Sequence, residues 1–298
     1  MEPGGRMLHR LIYADWEDPP EAMAFELGYR EALRVVQDRL ATVQSGTVAA
    51  LAAPSAAPAA FWDACLDLYL LTPALVNVAL NYKVCIEHGL PLHPTHYFEV
   101  SERTRGQIAY PSSLLDGAQS FFLEAIEACL AVFRLDDSAR PRLAALASGI
   151  PVGVGDFVYT STRDKYTWRA SEPAKIRDLT DEIRSRVRPV IIVGAAHGSI
   201  TSALVLATLL EAPLYFIRFS MFKRNDEQPV IGPTDLHHLG RHRRGPALLF
   251  DEDVAKGTTL SQFTLHLRPL FEESYSAGVL RHGYASFHPD FVGRVWYD

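Results

Sequence analysis

Residues Ala247-Leu248-Leu249-Phe250-Asp251-Glu252-Asp253-Val254-Ala255-Lys256-Gly257-Thr258-Thr259-Leu260 decide how the rest of the chain is read. Four apolar residues in a row predict a buried parallel strand, covered on both faces by helices. Carboxylates follow where that strand leaves the sheet. Gly257 then permits a tight turn, and two threonines open and cap a helix predicted over Leu260–Phe271. In open α/β sheets ligands bind just beyond the carboxyl ends of the strands. The stretch therefore offers acceptors for hydroxyls and, a few residues later, a helix N-terminus suited to a phosphate.

Working outward, the chain from Pro151 alternates strands and helices, the pattern of a parallel sheet. A strand is predicted near Phe157–Thr160 and a helix over Pro173–Val187. Pro189–Val193 reads as a short buried strand. It runs into Gly194-Ala195-Ala196-His197-Gly198-Ser199 and a helix over Ile200–Leu210. Small residues at a strand end let a bulky anion approach the backbone, with Ser199 as helix cap. Pro213–Phe219 is the next strand, ending near Arg218, Lys223 and Arg224. Asn225–Gly245 is expected to be a long mobile loop or hairpin, a basic lid over a polyanion. Its His237, His238, Arg241, His242, Arg243 and Arg244 match no zinc spacing. Ser276–Phe287 suggests a last strand, and Trp296 and Tyr297 near the end read as core seals or a stacking platform.

The run around Gly257 and Thr259 resembles the ribose-5-phosphate signature of the type I phosphoribosyltransferases, and the Ala195–Gly198 turn resembles that family's pyrophosphate loop. Ala255 and Lys256 stand where the family usually carries Thr or Ser, and His197 where many members have Arg or Lys. The resemblance implies a phosphoribosyltransferase-like α/β fold, a parallel sheet flanked by helices. It implies phosphoribosyl pyrophosphate and Mg²⁺ as substrate and cofactor, a place in nucleotide metabolism, and a homodimer. Asp251 and Glu252 would be the catalytic and metal-holding pair, on the ribose hydroxyls. Lys256, Gly257, Thr258 and Thr259 would hold the 5-phosphate in a loop that begins at Ala255, with Asp253 a further substrate-binding residue. Ala195, Ala196, His197 and Gly198 would hold the pyrophosphate, helped by Arg218 or Lys223. The acceptor stays open. Two alternatives remain: a non-catalytic sensor of the activated sugar or of nucleotides, and an aspartyl-phosphate phosphatase with Asp251 as nucleophile. A P-loop is set aside, because Lys256-Gly257-Thr258 reverses the required Gly-Lys-Thr order.

Residues 1–150 read as an additional helical domain and 151–298 as the α/β domain. Helices are expected over Ala22–Val43, Phe61–Gly89, Leu114–Phe133 and Arg142–Ala147, with an Ala/Pro linker at Gly46–Ala60. Arg103, Arg105 and Tyr110 are candidate acceptor contacts in a polar loop. The 298 residues carry a net charge of −6, which argues against a general nucleic-acid binder. Three cysteines (Cys65, Cys85, Cys129), far apart in sequence, point to reduced thiols and a cytoplasmic protein. No unbroken apolar run of membrane-spanning length is read, so no membrane association is expected.

Overall fold

The computed structural model describes residues 7–221 and 225–297. Lys223, expected against the pyrophosphate, lies outside them. The first half is built on three long helices, α1 (Tyr29–Ala52), α2 (Ala59–Glu87) and α3 (Ser112–Arg134), with the shorter α4 (Ala139–Ser148). On α1 the residues Leu33, Val36, Leu40 and Val43 are buried, a single apolar stripe at helical spacing. The expected linker at Gly46–Ala60 is mostly helix instead. Alanine is the best helix former, so α1 runs on through Ala52 and only residues 53–58 turn. Gly46 is where α1 and α2 meet closely: a Cβ there would lie 2.6 Å from the Phe61 ring.

The start of α1 also differs from expectation. Phe25 and Leu27 belong to strand β1 (Phe25–Gly28), which pairs antiparallel with β2 (Val158–Ser161). Helical spacing alone did not separate a four-residue strand from a helix start, because the partner lies more than a hundred residues away. By length and composition α2 could cross a membrane, and most of its apolar window is buried inside the fold. Asp63, Asp67, Asn77 and Lys83 interrupt the apolar run, which is why a search for an unbroken one passed over it.

The second half is a five-stranded parallel sheet in the order β4-β3-β5-β6-β7. Its strands are β3 (Ile191–Ala196), β4 (Leu214–Arg218), β5 (Pro246–Val254), β6 (Glu273–His282) and β7 (Phe291–Trp296). The final strand β7 was not read from the sequence. Its helices are α5 (Lys165–Ala170), α6 (Pro173–Arg186), α7 (Ile200–Leu210), α8 (Pro233–Gly240) and α9 (Thr258–Leu267). One continuous hydrophobic core joins both halves, with α2 and α3 packed on α7.

The connectivity places the site. From β3 the chain steps outward to β4, then crosses back so that β5 lies on the other side of β3. The order of strands reverses between β3 and β5, and Gly194 sits opposite Phe250 there. That switch point opens a crevice at the strands' carboxyl ends. The two stretches singled out in the sequence flank it.

Candidate functional site

Both stretches are more regular than expected. β5 continues through Val254, so Asp251, Glu252 and Asp253 are strand residues, and β3 includes Ala195 and Ala196. Asp251 and Glu252 are buried, at 7% and 9% exposure. The Glu252 backbone N–H donates to Asp251 Oδ1 at 3.1 Å, and Thr167 Oγ1 donates to Glu252 Oε1 at 3.4 Å. Glu252 Oε2 is buried with no hydrogen-bond partner among the described residues. Burial pushes the Asp251 carboxyl up to about 6, against a hydrogen bond from the Glu252 side chain that pulls it down; burial first, and then the Asp251 charge, holds Glu252 well above the usual carboxylate range. Buried carboxylates with a missing partner are poised for a cation or for hydroxyl donors.

Glu252 rests directly on the other loop. A Cβ on Gly198 would fall 2.0 Å from Glu252 Oε1, so only glycine lets the acid pair touch the turn after β3. The His197 ring lies edge-on to Tyr97, with centroids 6.2 Å apart. Ser199 does not cap α7; its hydroxyl donates back to the Ala195 carbonyl at 2.7 Å.

In the turn after β5, Gly257 holds φ +85° and is itself the N-cap of α9, so neither threonine caps through its side chain. Lys256 and Thr258 are exposed, Ala255 and Thr259 half-buried. The turn is braced from below: Ser286 donates to the Lys256 carbonyl from N and Oγ at 3.3 and 3.1 Å. Phe287 Cβ lies 2.5 Å from where a Gly257 Cβ would be. Gly257→Ala is therefore expected to lose about 1–2 kcal/mol for the positive φ, and more for the clash. Gly106 also has positive φ but open space around it, so Gly106→Ala is the control that isolates the φ term. Urea unfolding of both variants checks this; equal losses would mean the Phe287 brace is soft.

Several expected site residues are engaged elsewhere. Arg218 is 1% exposed; its guanidinium pairs with Asp226 at 3.0 and 3.3 Å and donates to the Phe98 carbonyl at 2.8 Å. A buried guanidinium requires such a partner, and Asp226 supplies it. Asp253 is held by His282 Nε2 at 3.1 Å, beside Tyr166. Trp296 lies in β7 beneath Arg169 and Lys175, at 5.0 and 5.6 Å from its ring. Arg103 and Arg105 are exposed in their loop, and the half-buried Tyr110 donates its hydroxyl to the Leu90 carbonyl at 2.9 Å.

The expected mobile lid is corrected most. Residues 233–240 form α8, and Asp235 bolts it to the helical half through Lys83 at 2.7 Å and to β4 through Tyr215 at 2.7 Å. Lys83 also pairs with Glu87 at 2.6 Å, which accepts from the Thr234 N–H at 2.7 Å. His238 stacks on Tyr215 at 4.3 Å, and burial pushes its pKa down to about 4, so the ring is neutral near pH 7. Among the described residues no group of three or more His, Cys, Asp or Glu forms a metal-holding cluster.

A feature missed in the sequence is a cavity of about 70 Å³ beside His197 and Gly198. Tyr69, Pro73 and Asn77 of α2 form one wall, spaced four apart and so on one helix face. Thr167 and Trp168 of α5 form another. Asn77 is 4% exposed and its amide makes no hydrogen bond among the described residues. The sequence signal was a Pro and an Asn four residues apart in the most apolar stretch of α2.

No family model matches this chain, and no curated protein matches it. Solved structures similar to it include a purine phosphoribosyltransferase from Pyrococcus horikoshii. That match has 24% identity, covers 43% of this chain and 86% of that one, and has a TM-score of 0.35. A xanthine-guanine-hypoxanthine phosphoribosyltransferase from Helicobacter pylori matches at 20% identity over 42% and 79%, TM-score 0.32. An orotate phosphoribosyltransferase from Aeropyrum pernix matches at 19% over 46% and 75%, TM-score 0.29. Over less than half its length the chain is thus similar to phosphoribosyltransferases of known structure, and its parallel five-stranded sheet follows an N-terminal helical region.

Proposed function

We propose that this protein binds phosphoribosyl pyrophosphate at the β3–β5 switch point and transfers its phosphoribosyl group to an acceptor. The observation that carries the reading is the contact of Glu252 with Gly198, which joins the acid pair and the turn after β3 into one site. Asp251 and Glu252 accept from the ribose hydroxyls. The backbone of residues 255–259, with Lys256 and the start of α9, receives the 5-phosphate. The Ala195–Gly198 turn admits the pyrophosphate. Mg²⁺ fits the donor set: it binds through one or two carboxylates plus substrate phosphates and waters, and Glu252 Oε2 is an oxygen lacking a partner. When bound, it neutralises charge on the departing pyrophosphate.

In the reaction the bond from the anomeric carbon to pyrophosphate breaks while the acceptor's electron pair forms the new bond. The chain contributes positioning and stabilisation of negative charge rather than a covalent step. Asp251 suits the phosphatase alternative poorly, since its buried carboxyl has a raised pKa and abuts a second acid. The sensor reading draws support from Arg218, whose charge Asp226 already engages. The deciding experiment offers a panel of acceptors with the activated sugar and Mg²⁺ and measures released pyrophosphate. Release that depends on one acceptor class is expected. Tight binding of the sugar with no release under any acceptor would establish a sensor.

A further inference from the structure

We infer that the cavity bounded by α2, α5 and the His197–Gly198 turn is a binding site for a small uncharged carboxamide, selected by Asn77. Three observations converge. Asn77 is 4% exposed as a residue, lines the cavity, and its amide has no hydrogen-bond partner among the described residues. A primary amide presents one donor edge and one acceptor edge in a plane, so its best complement is another planar amide that returns both bonds. Second, no Asp, Glu, Lys or Arg lines the cavity and His197 is its one ionisable imidazole, so a charged ligand would find no permanent counter-ion. Tyr69 and Trp168 instead supply aromatic wall, suited to a flat neutral group. Third, the volume of about 70 Å³ holds more than one water but less than a drug-sized ligand, so it fits a head group whose remainder projects through the opening.

The position gives the site a use. Gly198 lines the cavity on one side and carries Glu252 on the other, so an occupant lies next to the place assigned to the activated sugar. Thr167 likewise lines the cavity while donating to Glu252. The inference rests on the proposed function only in calling this occupant the acceptor; the site itself stands on Asn77 and the cavity.

The test titrates the full chain with benzamide and propionamide, and with benzoate as the charged isostere, by calorimetry or ligand-observed NMR. Both amides are expected to bind, benzoate at least tenfold more weakly than benzamide. Asn77→Leu, close in volume, is expected to lose benzamide affinity at least tenfold while holding phosphoribosyl pyrophosphate within twofold of wild type. Absence of amide binding, equal binding of benzoate, or an Asn77→Leu protein that binds benzamide unchanged would overturn the inference. Should Asn77→Leu fail to fold, Asn77→Ser replaces it, and the benzamide-to-benzoate ratio on the unaltered protein decides alone. Amide binding without pyrophosphate release from the sugar under any acceptor would keep this site and remove the transferase. Release with an acceptor indifferent to Asn77→Leu would keep the transferase and remove this site.

Discussion

Replacing Asp251 with Asn and Glu252 with Gln together is expected to weaken phosphoribosyl pyrophosphate binding at least tenfold while making the protein more stable at neutral pH. The two effects share one cause. Each hydrogen bond from a ribose hydroxyl to a carboxylate is worth about 1.5–3 kcal/mol, and an amide oxygen accepts more weakly. In the empty site the same carboxylates are costly, because burial disfavours their charged forms and raises both pKa values. The sign follows from linkage. A carboxyl whose folded pKa exceeds its unfolded one contributes stability fully present below about pH 4. That contribution is lost as pH rises through the folded value, about 6 for Asp251. The unaltered protein should therefore lose stability between about pH 4 and 7, and the double variant should lose less. At pH 7.5 the variant is expected to be more stable by on the order of 1–3 kcal/mol. Calorimetry with sugar and Mg²⁺ reads the first effect, urea unfolding across pH the second. Unchanged sugar affinity in a folded variant would remove the acid pair from the site, and a flat stability difference across pH would mean these carboxyls are not desolvated.

What the sequence made legible is what local chemistry controls. Ala247–Phe250 and Val190–Val193 are apolar and flanked by small or acidic residues, so their strands and the turns after them were readable. The helix expected over Pro173–Val187 was readable from its charged outer face, and it runs over Pro173–Arg186. What was illegible depends on partners distant in sequence. Whether Arg218 faced a ligand or the core was decided by Asp226, and Asp226 read only as part of a polar loop. The segment after β4 looked like a lid because its charges were taken as solvated. Asp235 is instead buried, and its partner Lys83 sits near the C-terminal end of a long apolar helix far upstream. The cavity had the faintest signature. Asn77 is one of two asparagines on α2, and its meaning appears only once α5 and the turn after β3 are packed around it.

Lys83→Met is expected to be the most destabilising single change outside the site, by about 3–5 kcal/mol. The Lys83 ammonium is 2.6 Å from Glu87 and 2.7 Å from Asp235, with all three side chains nearly inaccessible. Burial pushes both carboxyls up while Lys83 pulls them down; Glu87 ends below its ordinary value and Asp235 above. Removing the cation leaves two acids facing each other without water, and the Tyr215 hydroxyl and two backbone N–H groups cannot replace a full charge. The loss should therefore be large for Lys83→Met alone. It should be much smaller when Lys83→Met is combined with Glu87→Gln and Asp235→Asn, which removes the charges together. Urea unfolding of the two proteins measures the difference. A triple variant no more stable than the single one would show that packing, not charge, sets the loss. The network also bears on the site, since it fastens α2, the helix that carries Asn77, to α8 and β4. If this clamp sets the wall of the cavity, Lys83→Met should weaken benzamide binding even where the protein remains folded, and the triple variant should recover it. Benzamide affinity that ignores both changes would mean that α2 is positioned by its apolar packing on α1, α3 and α7 alone.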